Sequence, residues 1–359
     1  MKKLFAMAAA IILAAALPVP ARALSAQKAI LMDGNTGRVL YEKNADSQSL
    51  IASTTKIMTA LVVCEQCNVL DRVRIPKEAV GIEGSSMYLQ EGEVLTVQDL
   101  LYGMMLHSGN DAATALAIYC GGTVEGFAQL MNDKALSLGL TGSHFVNPHG
   151  LDAPEHYSTA KDLAVLSVEA MRNPIFAATV SAKTVSAGNR RLSNHNKLLW
   201  RVDGANGVKT GYTKAAGRIL VSGAKRNGRQ LIAVTIDAPD DWNDHTALLE
   251  DGFSKFKERQ LVRKGDVLGF QEVAWGTCDR VSLIASEDFY WPMAQGETSS
   301  ILLPGNGFVY APVSHGQWAG NAHILVDGET VGTIELEYGT TAQQTSEPKR
   351  SIWKRLTGG

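Results

Sequence analysis

Ser53 and Lys56 stand three residues apart in Ala52-Ser53-Thr54-Thr55-Lys56. On a helix that spacing puts a hydroxyl and an amine on one face, a single turn apart. A serine hydroxyl becomes a nucleophile when a neighbour takes its proton, and a neutral amine can be that neighbour. An ordinary lysine has a pKa of ~10.4 and must fall by ~3 pH units to act as a base near neutrality. Burial and a second ammonium nearby both push in that direction. Lys209, in Lys209-Thr210-Gly211, is the candidate for that second charge. Its ammonium and the Thr210 hydroxyl can also grip a substrate carboxylate, while Gly211 permits close backbone approach. A third string, Ser108-Gly109-Asn110, falls at a break between two helical patterns, where side chains can project into a cleft. Each string is weak alone, since Ser-x-x-Lys recurs at Ser25, Ser158 and Ser222. Their order and placement carry the signal.

The elements that must position these residues can be read from the pattern. Ala29–Asp33 and Arg38–Glu42 read as strands around the turn Gly34-Asn35-Thr36-Gly37. Ile57, Ala60, Leu61 and Cys64 recur at helical spacing after Ser53. Thr96 with Asp99 three residues on opens a second helix, Asp111–Cys120 forms a third, and Thr123 to Leu138 a fourth. Ser158–Arg172 is another helix, halted by Asn173-Pro174. Arg218–Lys225 and Gln230–Ile236 form a hairpin across Asn227-Gly228, with Lys209 expected on a strand at the sheet edge. A helix is expected over His245–Arg259. Beyond Leu261 come short β segments, among them Val281–Ala285, Ser300–Leu303, Ala322–Val326 and Val331–Tyr338. The predicted class is α+β: an antiparallel sheet with helices and a helical insert over 24–260, then a small all-β domain over 261–339. A polar-to-basic tail, 340–359, closes the chain.

The 359 residues are 45% hydrophobic and 19% charged, enough for a sizeable core and incompatible with wholesale disorder. A formal charge of −2 offers no footprint for nucleic acid. Lys2 and Lys3, an apolar run from Leu4 to Leu17 and Ala21-Arg22-Ala23 describe a secretory signal peptide, 1–23. Its removal moves the charge from −2 to −5 and implies work outside the cytoplasm. Cys64 and Cys67 form a CxxC within a helical pattern, while Cys120 and Cys278 stand apart. No second pair or His cluster completes a zinc site, so no metal and no cofactor are expected. Ordinary thiols and a Cys64–Cys67 disulfide both remain open.

The ordered trio resembles the active-site serine penicillin-recognising enzymes. The nearer resemblance is to the low-molecular-weight penicillin-binding proteins that act as serine D-alanyl-D-alanine carboxypeptidases. It extends over roughly Gln27 to Lys257 and includes Phe145-Val146-Asn147-Pro148-His149-Gly150-Leu151, Tyr157-Ser158-Thr159-Ala160 and Gly207-Val208-Lys209-Thr210-Gly211-Tyr212-Thr213. It implies a β-lactamase/transpeptidase-like fold with Ser53 as nucleophile, Lys56 as general base and Ser108 as proton relay. Asn110 would hold a substrate amide, and Lys209 and Thr210 the terminal D-Ala carboxylate. The Ser53 and Tyr212 amides would form the oxyanion hole. Peptidoglycan stem peptides are the implied substrates and β-lactams the implied inhibitors. Cleavage of cross-links by a D,D-endopeptidase stays open beside carboxypeptidase action. A β-lactamase or a silent wall-binding module fits less well: no Glu-x-x-Leu-Asn string is present, and Lys56 completes the trio. Between Asp237 and Asp244 only acidic and neutral residues occur, where some members place a basic one. His149 reads as part of a tight turn rather than a triad base. Residues 349–356, with Ile352, Trp353 and Leu356 among basic residues, suggest weak peripheral membrane contact.

Overall fold

The computed structural model describes residues 24–305 and 307–345. The signal-peptide segment 1–23 and the candidate membrane contact 349–356 lie outside them. The chain opens with strands β1 (Lys28–Asp33) and β2 (Val39–Lys43), antiparallel as expected. A 3-10 turn, Ala52–Thr55, leads directly into helix α1 (Lys56–Gln66). Two short strands, β3 (Arg72–Arg74) and β4 (Val94–Thr96), pair before helix α2 (Val97–Leu106). The Thr96 and Asp99 side chains form the full reciprocal capping box there, each accepting the other's backbone amide. Helices α3 (Asn110–Gly121), α4 (Val124–Ser137), α5 (Ala160–Arg172) and α6 (Pro174–Ser181) complete the insert.

Strands then return: the hairpin β5 (Thr184–Ala187) and β6 (Arg190–Ser193), and the meander β7 (Ala205–Thr213), β8 (Gly217–Arg226) and β9 (Arg229–Ile236). The main sheet runs β2-β1-β9-β8-β7, which puts the Lys209 strand at its edge. Both faces of this sheet are covered, and β9 shows how. Ile232, Val234 and Ile236 point into the core shared with the helical insert, while Leu231 and Ala233 join Leu248 and Leu249 on the other face. Leu248 and Leu249 belong to helix α7 (Asp241–Lys255).

That helix corrects the sequence reading at both ends. It begins at Asp241, within the acidic stretch, where carboxylates suit a helix N-terminus. It stops at Lys255, because Phe256–Val262 is a strand, β10, paired with β13 (Phe289–Ala294). Strand pairing here overrides a charged run that local propensity favours as helix. The remaining strands are β11 (Val267–Ala274), β12 (Arg280–Ala285), β14 (Ser299–Leu302), β15 (Phe308–Tyr310), β16 (Trp318–Val326) and β17 (Glu329–Tyr338). They form one six-stranded sheet, ordered β14-β16-β17-β12-β11-β15. Val273, Val281, Leu283, Ile324, Ile334 and Leu336 make its separate core.

The cysteines answer a question the sequence left open. The disulfide joins Cys67 to Cys120, 53 positions apart, rather than Cys64 to Cys67. It ties the end of α1 to the last turn of α3, and Cys64 stays a free thiol pushed up to about 12 by burial and by Glu65. The packing of α1 on α3 decides which sulfurs meet.

Candidate active site

The nucleophile candidate sits where the chain turns from loop to helix. Ala52 has φ +44, and the Thr54 amide and hydroxyl both donate to the Ile51 carbonyl, which tightens the turn that presents Ser53. One turn on, Lys56 is fully buried and its Nζ lies 3.1 Å from Ser53 Oγ. The same nitrogen lies 2.7 Å from Asn110 Oδ1 and 2.6 Å from the His149 carbonyl oxygen. A neutral amine has two N–H bonds and one lone pair. The carbonyl-type acceptors of Asn110 and His149 take the two N–H bonds, which leaves the lone pair facing Ser53. Burial, foremost, and then the charge of Lys209 hold the Lys56 pKa well below the usual lysine value, with Asp111 opposing.

Lys209 is itself buried, and its Nζ donates to the Thr210 carbonyl at 3.0 Å. Burial lowers its pKa to about 7. β7 lies against the nucleophile turn. A Cβ on Gly211 would stand 3.3 Å from both the Ser53 amide nitrogen and the Ile51 carbonyl oxygen, so glycine here sets the approach of strand to turn. Thr210 is half-buried, and Tyr212, 65% exposed, projects outward. Ser108 connects α2 to α3, buried and in a left-handed conformation with φ +61. Of the eight residues singled out from sequence, Lys56 thus contacts both Ser53 and Asn110, Gly211 brings the edge strand β7 against the nucleophile turn, and Ser108 stands on the α2–α3 connection two residues before Asn110.

Several supporting contacts were not legible. Asn110 Nδ2 donates to the Glu83 carbonyl at 2.6 Å and its backbone amide to the Ser85 carbonyl at 2.7 Å. Both ends of its side-chain amide are therefore engaged within the protein, and holding Lys56 is one of its tasks. Asp111, also buried, accepts the Ser86 hydroxyl and the amides of Met87 and Leu89, so the 83–89 loop is moored to the start of α3. Arg190 grips the same loop through the Met87 and Tyr88 carbonyls.

His149 acts through its backbone. Burial, foremost, with Lys56 and His156, lowers the pKa of its ring to about 3, so the imidazole stays neutral near pH 7, and its Nδ1 accepts the Leu151 amide. Gly150, with φ +87, passes so close to the Ala52 carbonyl that no side chain fits. His156 is the residue with the least sequence signal. It accepts the Val146 amide at Nδ1, which leaves Nε2 to donate to Thr55 Oγ1 at 2.7 Å, bracing the nucleophile turn from below. Nothing in its spacing marks it. Among the described residues no cluster of His, Cys, Asp and Glu could hold a metal ion.

A half-buried serine, a desolvated lysine one turn on and a second lysine on an adjoining strand define a serine hydrolase working through an acyl-enzyme. Comparison with known proteins agrees. Residues 14–240 match the D-alanyl-D-alanine carboxypeptidase family model, and 256–344 the penicillin-binding protein 5 C-terminal domain. The chain is 33% identical over 324 residues to the D-alanyl-D-alanine carboxypeptidase DacF of Bacillus subtilis, covering 85% of this chain and 83% of that protein. It is 35% identical over 332 residues to DacC of Escherichia coli, covering 87% and 83%. The solved structure of penicillin binding protein 5 from Haemophilus influenzae superposes with a TM-score of 0.77 at 30% identity, over 90% of this chain and 98% of that one. The chain belongs to the D-alanyl-D-alanine carboxypeptidase family.

Proposed function

We propose that this chain removes the terminal D-alanine from peptidoglycan stem pentapeptides through an acyl-enzyme on Ser53, and that β-lactams acylate the same serine. The observation that carries the reading is the Lys56 nitrogen, buried and held by Asn110 Oδ1 and the His149 carbonyl with Ser53 Oγ as its remaining neighbour. Ser53 Oγ attacks the carbonyl between the two D-alanines as its proton passes to Lys56. The Ser53 and Tyr212 amides receive the developing oxyanion. The C–N bond then breaks, and D-alanine leaves with a proton returned through Ser108. Water hydrolyses the ester, regenerating Ser53. Lys209 and Thr210 hold the carboxylate of the departing residue, which ties cleavage to the chain terminus.

The work is extracytoplasmic in this reading, supported by the 1–23 pattern, with weak, salt-sensitive membrane contact through 349–356. Incubation of the purified protein with a pentapeptide muropeptide should release D-alanine, and penicillin should label Ser53. A preparation that splits a cross-linked dimer but leaves the pentapeptide intact would make it an endopeptidase instead. Label on any serine other than Ser53 would overturn the site.

A further inference from the structure

Two of the three motifs are joined by a segment that takes no direct part in the chemistry above. From the last residue of β6 toward β7 runs Ser193-Asn194-His195-Asn196, and each of its residues makes a directed contact. The Ser193 amide donates to His107 Nε2 at 3.1 Å. The His195 ring stacks on the His107 ring, with centroids 5.2 Å apart and planes 23° from parallel. The His195 amide donates to the Leu106 carbonyl at 3.2 Å. His107 is the C-cap of α2 and the immediate neighbour of Ser108. On the other side, Asn196 Nδ2 donates to the Gly207 carbonyl at 2.7 Å, two residues before Lys209.

Asn196 and Asn194 are both buried, and their side chains organise the segment. Asn194 Oδ1 accepts the Asn196 amide, and its Nδ2 donates to the carbonyls of Val180 and Ala182. Such satisfied buried amides fix a loop where loose connections would otherwise move. Ser108 is held in a left-handed conformation that a serine rarely adopts, so something must hold it. Among the described residues, the directed contacts of the His107 side chain, its N-terminal neighbour, come from this segment.

We propose that His107 is a positioning residue: stacked on His195 and accepting the Ser193 amide, it fixes Ser108 relative to the Lys209 strand. The bond from Ser193 requires a lone pair on Nε2, so the clasp needs His107 neutral with its proton on Nδ1. Lys209 lies close enough to help lower the pKa of His195, after partial burial and before His107 in effect, which places the clasp beside the second lysine. The inference rests on the proposed role of Ser108 as proton relay.

The test compares three substitutions. His107→Leu removes the acceptor and keeps bulk. His107→Gln returns an acceptor oxygen near the Nε2 position, and His107→Asn supplies the same group on too short a stem. Acylation by penicillin is followed as maximal rate and half-saturating concentration, with thermal unfolding as a check on folding. The maximal rate should fall ~10–100-fold in Leu and Asn, as expected for a misplaced catalytic group, with the half-saturating concentration little changed and Gln restoring most of the rate. Wild-type rates in Leu or Asn, or an equal fall in Gln, would overturn the clasp; should Leu fail to fold, Asn against Gln decides. D-alanine release by wild-type protein is measured in parallel. Its absence would refute the carboxypeptidase reading, while the acylation rates still judge the clasp.

Discussion

The helical insert with its sheet and the C-terminal β domain bury different things. Around the cleft, Lys56, Lys209, Asn110, Asp111, His156 and Ser108 are all buried, as is His245 on α7, bridged between Ser222 and Thr235 of the sheet. In the β domain, Ser282 alone among the described residues is a buried polar or charged side chain outside the aromatic set. Its core is aliphatic, built from Val273, Val281, Leu283, Ile324, Ile334 and Leu336. Burying an ionisable group costs several kcal/mol unless partners compensate, so a chain keeps such groups where they do something. The contrast assigns chemistry to one half and packing to the other.

The contrast breaks most visibly at the Ser53–Lys56 pair. Ser53→Ala should abolish both penicillin labelling and D-alanine release. Lys56→Met should slow acylation ~10²–10⁴-fold, the range of general-base catalysis. Both variants should unfold cooperatively, and mass spectrometry of the penicillin-treated protein checks the labelling. Near wild-type acylation by Lys56→Met would mean that another group takes the serine proton.

Lys209 gives the next effect, and its sign depends on pH. Its ammonium is needed to hold the substrate carboxylate, and burial has lowered its pKa to about 7. In the free enzyme kcat/KM should therefore fall as pH rises above about 7, by up to ~10-fold per pH unit. Lys209→Arg, whose guanidinium stays charged, should move that limb upward. A limb left in place would belong to a different group. Stability moves the other way. Between about 7 and the ordinary value of 10.5 the unfolded chain binds the proton and the folded chain does not, so stability rises with pH across that window. Lys209→Met should lose this part of the slope in denaturant titrations followed from pH 7 upward.

What could be read from sequence follows the reach of each signal. The Ser53–Lys56 relation is local, fixed by one helical turn, and the Thr96–Asp99 capping box is equally local; both were legible. The edge position of Lys209 followed from the order of a meander. The mooring of Asn110 on Glu83, the carbonyl of His149 under Lys56 and the His156–Thr55 bond join residues 27, 93 and 101 positions apart. No spacing rule spans such gaps. The Cys67–Cys120 link failed to show for the same reason. Strand β10 was hidden by its charge: Lys257, Glu258 and Arg259 look helical until β13 is there to pair with them.

Gly211→Ala tests how closely strand and turn must meet. The added methyl would stand 3.3 Å from the Ser53 nitrogen, the Ile51 oxygen and the Thr54 methyl, tight enough to push β7 outward by a few tenths of an ångström. Acylation should slow by ~10-fold, since small misplacements at a reacting centre are expensive, with little change in melting temperature. Unaltered kinetics would show that the turn and β7 tolerate separation.

The smallest catalytic effect should come from the largest injury to the other half. Leu336 is fully buried at the centre of the β-domain core. Leu336→Ala removes three heavy atoms there and should destabilise that domain by ~2–5 kcal/mol. The two halves meet where Arg38, on the loop before β2, pairs with Glu297 and lies over the rings of Phe256 and Trp291. None of the cleft residues takes part in that joint. Distant sites with no shared partners act independently, so penicillin acylation of Ser53 should stay within ~2-fold of wild type even as the β domain melts earlier. Acylation measured across a temperature ramp separates the cases. If it is lost in step with the β-domain transition, the joint at Arg38 transmits order to the cleft. If it persists above that transition, the division between a chemical half and a packing half holds down to the single substitution.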